Sequence, residues 1–251
     1  MSSRRRHMSG VFASLVAVLA GLTGCYPASP SPIGQEARRL YDIFFVGGAI
    51  VVVLIWVLIG WVIIRYRRRD DRLPRQVRAN MPIQVAWVAI PLAVVIGLFT
   101  LTWLSMARID QLPKEPGIHV HVWAFRWQWR FDYPDEGVSI IGTREVAPQL
   151  VVPVGVPVQV TLDSTDIAHS FYLPAILYKR DAIPGVTNTF AFTIEEEGTY
   201  AAQCAEFCGE FHDAMTFSVR AVQPAAFEQW LAGRPRSSLP PPPVVGPESS
   251  P

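Results

Sequence analysis

The chain has 251 residues, half of them hydrophobic and only 17% charged. A soluble domain carries about a quarter charged residues, so the deficit points to membrane spans beside one domain of ordinary size. The formal charge of +1 hides a split: residues 65–80 hold seven Arg against two Asp, while residues 108–251 hold 10 Lys and Arg against 17 Asp and Glu. An acidic domain on a basic membrane-side loop excludes nucleic acid as a partner of that domain.

Residues 1–24 read as a secretory signal, with Arg4-Arg5-Arg6 as its positive region and Val11–Ala20 as a short apolar stretch. Leu22-Thr23-Gly24-Cys25 then resembles a bacterial lipobox, in which the small residues fit the signal peptidase and the Cys thiol takes a diacylglycerol. The plainer alternatives are an unmodified Cys25 after an ordinary signal, or a first short span that stays attached. Tyr26–Pro32 is rich in Pro and Ser, so residues 25–40 are expected to be an exported tether.

Two spans follow within residues 41–107. Ile43–Ile64 is 22 residues without a charge and Ala79–Ala107 is 29, whereas about 20 apolar residues cross the hydrocarbon core. Helices are expected over about 43–64 and 82–107, with Pro82 and Pro91 imposing a late start or a kink on the second. Trp56, Trp61, Trp87 and Trp103 read as packing or interfacial residues. The arginine-rich loop 65–80 belongs on the cytoplasmic side, so the N-terminus and everything after residue 108 lie outside.

From Gly117 the pattern changes to short alternating runs: Ile118–Val122, Leu150–Val152, Val156–Leu162, Thr189–Ile194, Gly198–Ala202 and Met215–Val219. Gly and Pro punctuate them, and no helical period survives, which predicts a Greek-key β-barrel or sandwich over residues 108–232. A short helix is expected over 225–231. Residues 233–251, with Leu239 followed by four prolines, read as a disordered tail.

Three cysteines are too few for a disulfide framework, so each is judged in its own setting. Cys204, Cys208, His212 and Met215 fall within twelve residues, between two predicted strands. Soft sulfur beside imidazole selects copper, zinc or iron–sulfur chemistry, and a thioether favours copper over zinc. A mononuclear blue-copper centre uses one Cys, two His and an axial Met, so two Cys point to two coppers sharing both thiolates. That construction needs a second imidazole. His119 and His121 read as a solvated edge of the first strand and His7 lies in the signal, which leaves His169, in a polar turn after a strand. A disulfide would leave His212 and Met215 unexplained; zinc held by two Cys and two His would leave Met215 unused.

The motif C-x-E-x-C-G-x-x-H-x-x-M over Cys204–Met215 resembles the dinuclear copper A site of cytochrome c oxidase subunit II. The rest of the chain is similar to that family in order: two spans, the tryptophan-rich stretch Ala124–Tyr133, then Asp166–Ser170 and the K-x-D-x-x-P-G-x-x-N run Lys179–Asn188. The resemblance covers about residues 36–232. It implies a membrane-anchored α+β protein: a two-helix transmembrane hairpin followed by a cupredoxin-like Greek-key domain. It further implies that Cys204 and Cys208 bridge two copper ions, that His169 and His212 each hold one, and that Met215 and the backbone carbonyl of Glu206 are the weak ligands. The Glu206 side chain would face subunit I and help hold a magnesium ion. Trp127 would be where electrons come in from cytochrome c, with Asp132 and Asp166 on the docking face.

By strand alternation Trp127 and Trp129 point to one face, so the sequence does not separate a surface role from core packing. Two positions depart from the family pattern: Gln84 replaces a Glu at the start of a proton-conducting path, and Leu177 replaces a common Gly. The implied role is the electron-input subunit of a proton-translocating oxidoreductase in a bacterial inner membrane, with the copper domain on the periplasmic side. Its partners would be subunits I and III, cytochrome c and membrane lipid. A copper-free quinol oxidase subunit conflicts with the intact ligand set. A nitrous oxide reductase needs more histidines than the four left after the signal, and a stand-alone copper-binding protein does not need two spans.

Overall fold

The computed structural model describes residues 28–68, 79–143, 145–236 and 240. The expected signal peptide, the lipidated Cys25, most of the arginine-rich loop and most of the terminal tail lie outside them. Helix α1 spans Pro32–Arg65 (34 residues) and α2 spans Met81–Ile109 (29 residues). Both are long and apolar enough to cross a membrane, and none of the most apolar stretch of either is buried within the protein. Trp56, Ile63 and Trp87 are each exposed, the all-round apolar surface that suits a lipid-facing helix. Helix α2 starts just before Pro82 and continues through Pro91.

The expected tether needs correcting. Helix α1 begins at Pro32, where proline's missing N–H leaves no helical bond unmade. The residues before it are fastened to the folded domain: Ser29 Oγ donates to Ala175 O (3.0 Å) and the Glu195 N–H donates to Pro30 O (2.7 Å). Ser29 and Ser31 are buried. A segment tied down in this way belongs to the folded domain and is not a free linker.

Ten strands form two five-stranded sheets, making the predicted layer a sandwich. They are β1 Ile118–Phe125, β2 Gln128–Tyr133, β3 Val138–Ile141, β4 Gln149–Pro153 and β5 Val158–Ser164. Then come β6 His169–Leu173, β7 Tyr178–Ala182, β8 Asn188–Phe192, β9 Gly198–Cys204 and β10 Thr216–Val222. The orders are β3-β2-β1-β5-β8 and β4-β10-β9-β6-β7, antiparallel except for the parallel pairs β1–β5 and β10–β4. Strands β1 and β5 alternate buried and half-buried residues throughout, so Val120, Val122, Val160 and Leu162 reach the core. Phe171 packs between Phe217 (4.9 Å) and Phe190 (5.5 Å) across that core.

Strands β2, β3, β6 and β7 are additional to the expected set. Charges mask β2 and β7 as strands, yet Arg130 Nε donates to Asp132 Oδ1 (2.7 Å) within β2, and β7 lies at a sheet edge where its charges reach water. Strand β1 sits in the middle of its sheet, so the solvated-edge reading of His119 and His121 is also corrected. His121 Nε2 meets Asp163 Oδ2 at 2.7 Å, and its ring stacks on Trp123. The closing helix α3, Pro224–Ala232, buries Phe227 beside Tyr133.

Candidate metal centre

Cys204 ends β9 and Thr216 begins β10, so Glu206, Cys208, His212 and Met215 lie on the connection between two paired strands. Backbone bonds fix that loop at its base. The Cys204 N–H donates to Met215 O (2.9 Å), and the Ala205 N–H donates to Ser170 O (3.2 Å) on neighbouring β6. Strand β6 opens with His169, and its Phe171 pairs with Cys204. Register therefore delivers an imidazole from 35 residues upstream to the thiol. Gly209, at φ 112°, has a backbone conformation that favours glycine, and an added Cβ would lie 3.3 Å from the Trp127 ring.

The sulfurs of Cys204 and Cys208 are 3.9 Å apart and both are buried. That is far beyond a disulfide bond of about 2.05 Å. It is close to the separation of about 3.8 Å expected for two thiolates on one tetrahedral metal with bonds of about 2.3 Å. The other groups fall on two sides of this pair. His169 Nδ1 (3.9 Å) and Glu206 O (3.3 Å) approach Cys204 Sγ; His212 Nδ1 (3.5 Å) and Met215 Sδ (3.8 Å) approach Cys208 Sγ. His169, Cys204 and Cys208 form a group whose ligand atoms all lie within 4.8 Å. His212 is half-buried and reaches only the second thiol.

Charge favours a cation there. Burial disfavours a thiolate at Cys204, but hydrogen bonding to His169 and to the main chain outweighs it and holds the thiol below its usual range. At Cys208 burial and then the nearby Cys204 push the other way. Two thiolates this close cannot both form in a buried site without positive charge between them, and soft sulfur with imidazole and thioether selects copper.

Asp166 takes a different place from the expected docking role. It is buried: Oδ1 accepts from His169 Nε2 (2.8 Å), while Oδ2 accepts from the Arg126 N–H (2.7 Å) and Nε (3.3 Å). Burial opposes its charge, but these hydrogen bonds prevail and hold the carboxyl down to about 2. A carboxylate on Nε2 fixes the tautomer that leaves the Nδ1 lone pair facing the thiols. Asp132 is equally committed, accepting from Trp123 Nε1 (3.0 Å) and Arg130 Nε (2.7 Å). Both carboxylates are thus hydrogen-bonded within the domain. The exposed acids beside the centre are Glu210 and Asp213, on the loop that carries His212; the motif reading passed over them and over Arg126.

The two tryptophans separate cleanly. Trp127 lies in the turn between β1 and β2, so strand alternation does not bind it. It is half-buried, its Nε1 donates to Cys208 O (3.0 Å), and its ring meets Phe211 edge-on at 4.9 Å. Trp129, in β2, is fully buried among Phe171 and Phe217, 6.5 Å from the His169 ring. The Glu206 side chain is 45% exposed and lies 3.5 Å from Lys179 Nζ, which also pairs with Asp181.

Residues 118–222 match the family model for the periplasmic domain of cytochrome c oxidase subunit II, and residues 18–106 match that for its transmembrane domain. A probable cytochrome c oxidase subunit 2 of Streptomyces avermitilis is 33% identical, the alignment covering 91% of this chain and 86% of that protein. The chain belongs to the cytochrome c oxidase subunit II family. The cytochrome c oxidase subunit 2 of Alkalihalophilus pseudofirmus is 30% identical over 84% of this chain and 64% of that protein. The periplasmic domain of subunit II from Bradyrhizobium japonicum aligns at 29% identity, over 49% of this chain and 96% of that one, with a TM-score of 0.46. This subunit II is thus a membrane protein and one part of an oxidoreductase complex, beside other oxidase subunits. Its Cys and His group suggests a copper A site, and the quinol-oxidase and stand-alone alternatives are not favoured.

Proposed function

We propose that this subunit II receives electrons one at a time from a c-type cytochrome at a dinuclear copper A centre and passes them to subunit I, where oxygen is reduced to water. The observation that carries this reading is the two-sided donor set: one thiol has an imidazole and a carbonyl, its neighbour an imidazole and a thioether. Cys204, Cys208, His169, His212, Met215 and the Glu206 carbonyl would together hold the copper pair. Bound there, the copper pair supplies a one-electron relay. The chain's own part is to enclose it: Cys204, Cys208, His169 and Met215 are all buried, which excludes water and limits ligand movement on changing charge.

Trp127 is the input residue in this reading, because one end of its indole is near the surface and its N–H is tied to the residue carrying a bridging thiol. For magnesium, this chain would offer the partly exposed Glu206 carboxylate, with further ligands from subunit I. The copper domain would lie on the periplasmic side of the bacterial inner membrane. Cys25 would carry the lipid, and subunit III would complete the assembly. Metal analysis and intact mass of the purified oxidase test this together. Two coppers per subunit II and a lipidated Cys25 are expected; zinc or a single copper would refute the centre.

Asp166 and the exposed acids now have different expected effects. Asp166→Asn should weaken copper binding about 10–100-fold, the usual cost of losing a carboxylate that orients a ligand imidazole. Glu210→Gln with Asp213→Asn should leave the copper spectrum intact and flatten the salt dependence of reduction by a basic cytochrome c. Titration of apo-protein with copper and stopped-flow kinetics at two salt concentrations separate the two. An Asp166→Asn protein with unchanged copper affinity would show that His169 needs no such support.

A further inference from the structure

One contact ties the stretch read as a disordered tail to the folded domain: Arg130 Nη1 donates to Pro240 O (2.8 Å), 110 positions away. Arg130 is 5% exposed, and a guanidinium so far withdrawn from water needs partners. Its Nε donates to Asp132 Oδ1 (2.7 Å), while Asp132 Oδ2 accepts from Trp123 Nε1 (3.0 Å). One carboxylate thus orients a guanidinium and an indole together. Trp129 and Phe131 of β2 belong to the core, so Arg130, between them, lies on the outer face of the sheet. On that face, register sets it opposite Trp123 of β1 and, on its other side, opposite the exposed Ile141 of β3. Trp123 is half-buried, and its ring stacks on His121 at 4.0 Å.

Pro240 opens a run of four prolines, Pro240–Pro243. Such a run offers carbonyls but no N–H, and it favours the stiff, extended polyproline helix. Aromatic-lined surfaces recognise that helix, and its carbonyls call for a donor; Trp123 beside Arg130 supplies both. The run also begins within reach of this face. Phe227 and Trp230 of α3 pack on Tyr133, the last residue of β2, and the four residues from Arg236 to Pro240 span at most about 14 Å. We propose that the proline run 240–243 docks on its own domain as a strap across the outer face of this sheet, its first carbonyl held by Arg130 and its rings packed on Trp123. Strand β3 is the sheet edge, so the strap runs from β2 over β1 towards β5. Asp132 holds the indole and the guanidinium in place beforehand, which lowers the entropic cost of docking. The inference does not depend on the copper centre.

The test uses the whole oxidase with Val244 replaced by the photoreactive p-benzoylphenylalanine. Four residues of polyproline helix reach about 12 Å past Pro240, and two strand spacings are about 10 Å. Cross-links should therefore concentrate on the β1 and β5 peptides of the same chain. Replacing Pro240–Pro243 by Gly-Ser-Gly-Ser removes the stiffness and the rings without altering the domain, and should cut those cross-links severalfold with the copper spectrum unchanged. Arg130→Gln should also cut them, and Arg130→Lys should retain more; if Arg130→Gln fails to fold, the proline replacement decides alone. Cross-links undiminished by the Gly-Ser run would overturn the proposal, because a short tether alone would then explain them. Cross-links that miss β1 and β5 would overturn it as well. A product joined to another subunit, or to a second copy of this chain, would overturn it in favour of a partner outside the chain.

Discussion

Cys204→Ser should remove at least one copper from each chain and abolish the shared-electron signal of a dinuclear centre. Serine keeps the size of the side chain but replaces a soft, ionisable sulfur with a hydroxyl that stays protonated at neutral pH. The loop should keep its shape, because its base is held by the main-chain bonds Cys204 N–H to Met215 O and Ala205 N–H to Ser170 O, which the change leaves alone. What remains around Cys208 is His212 and Met215, with the His169 ligand atom also within 4.8 Å of its sulfur. One thiolate, two imidazoles and a thioether are the donors of a blue-copper site, so residual copper in Cys204→Ser should be mononuclear.

The reciprocal change gives a different residue of function. Cys208→Ser leaves Cys204 with His169 and the Glu206 carbonyl, a set without the thioether. It should therefore hold copper less well and lack the Met215 contribution to the spectrum. Metal analysis with optical and electron paramagnetic spectra of both variants reads this asymmetry. A disulfide or a structural zinc site predicts no such pair of outcomes, and copper-pair spectra surviving in Cys204→Ser would end the shared-thiolate reading.

Much of this centre was legible in the sequence because its ligands are dense in one loop and few other imidazoles compete. His169 could be found by elimination, but what orients it could not. Asp166 looks like any carboxylate of an acidic domain, and only the fold shows it buried between His169 and Arg126. The partners of Asp132 were hidden for the same reason: Trp123 and Arg130 are brought in by sheet register. The apolar spans declared themselves by length, whereas the start of α1 at Pro32 depends on contacts from Ser29 and Pro30 to residues more than a hundred positions away. Alternation located six strands and missed the short β3 and β6 as well as β2 and β7, where paired or edge-exposed charges interrupt it. Period two also failed at Trp127, because the turn between β1 and β2 releases it from the pleat.

That release makes the electron-input role separable from packing. Trp127→Gln should slow reduction of the copper centre by bound cytochrome c by orders of magnitude in protein that retains its copper. The uncharged side chain contributes little to long-range steering, so the salt dependence set by Glu210 and Asp213 should persist. Trp127→Phe should fall between, since it keeps a ring against Phe211 but loses the bond to Cys208 O. The structural cost is bounded by burial. Trp129 is fully buried, so the loss of about 3–5 kcal/mol typical of a core tryptophan belongs to Trp129→Ala, with disturbed copper beside the His169 ring. Trp127 is half-buried, and the bond it loses is worth about 1 kcal/mol, so its variants should stay folded at ambient temperature. Stopped-flow reduction, copper spectra and thermal melts of the three variants form one experiment. Slow reduction with full copper and a near-normal melt in Trp127→Gln assigns electron input to this indole. Normal kinetics in the same copper-replete protein would remove that role and send the electron through the loop face formed by Phe211 and His212.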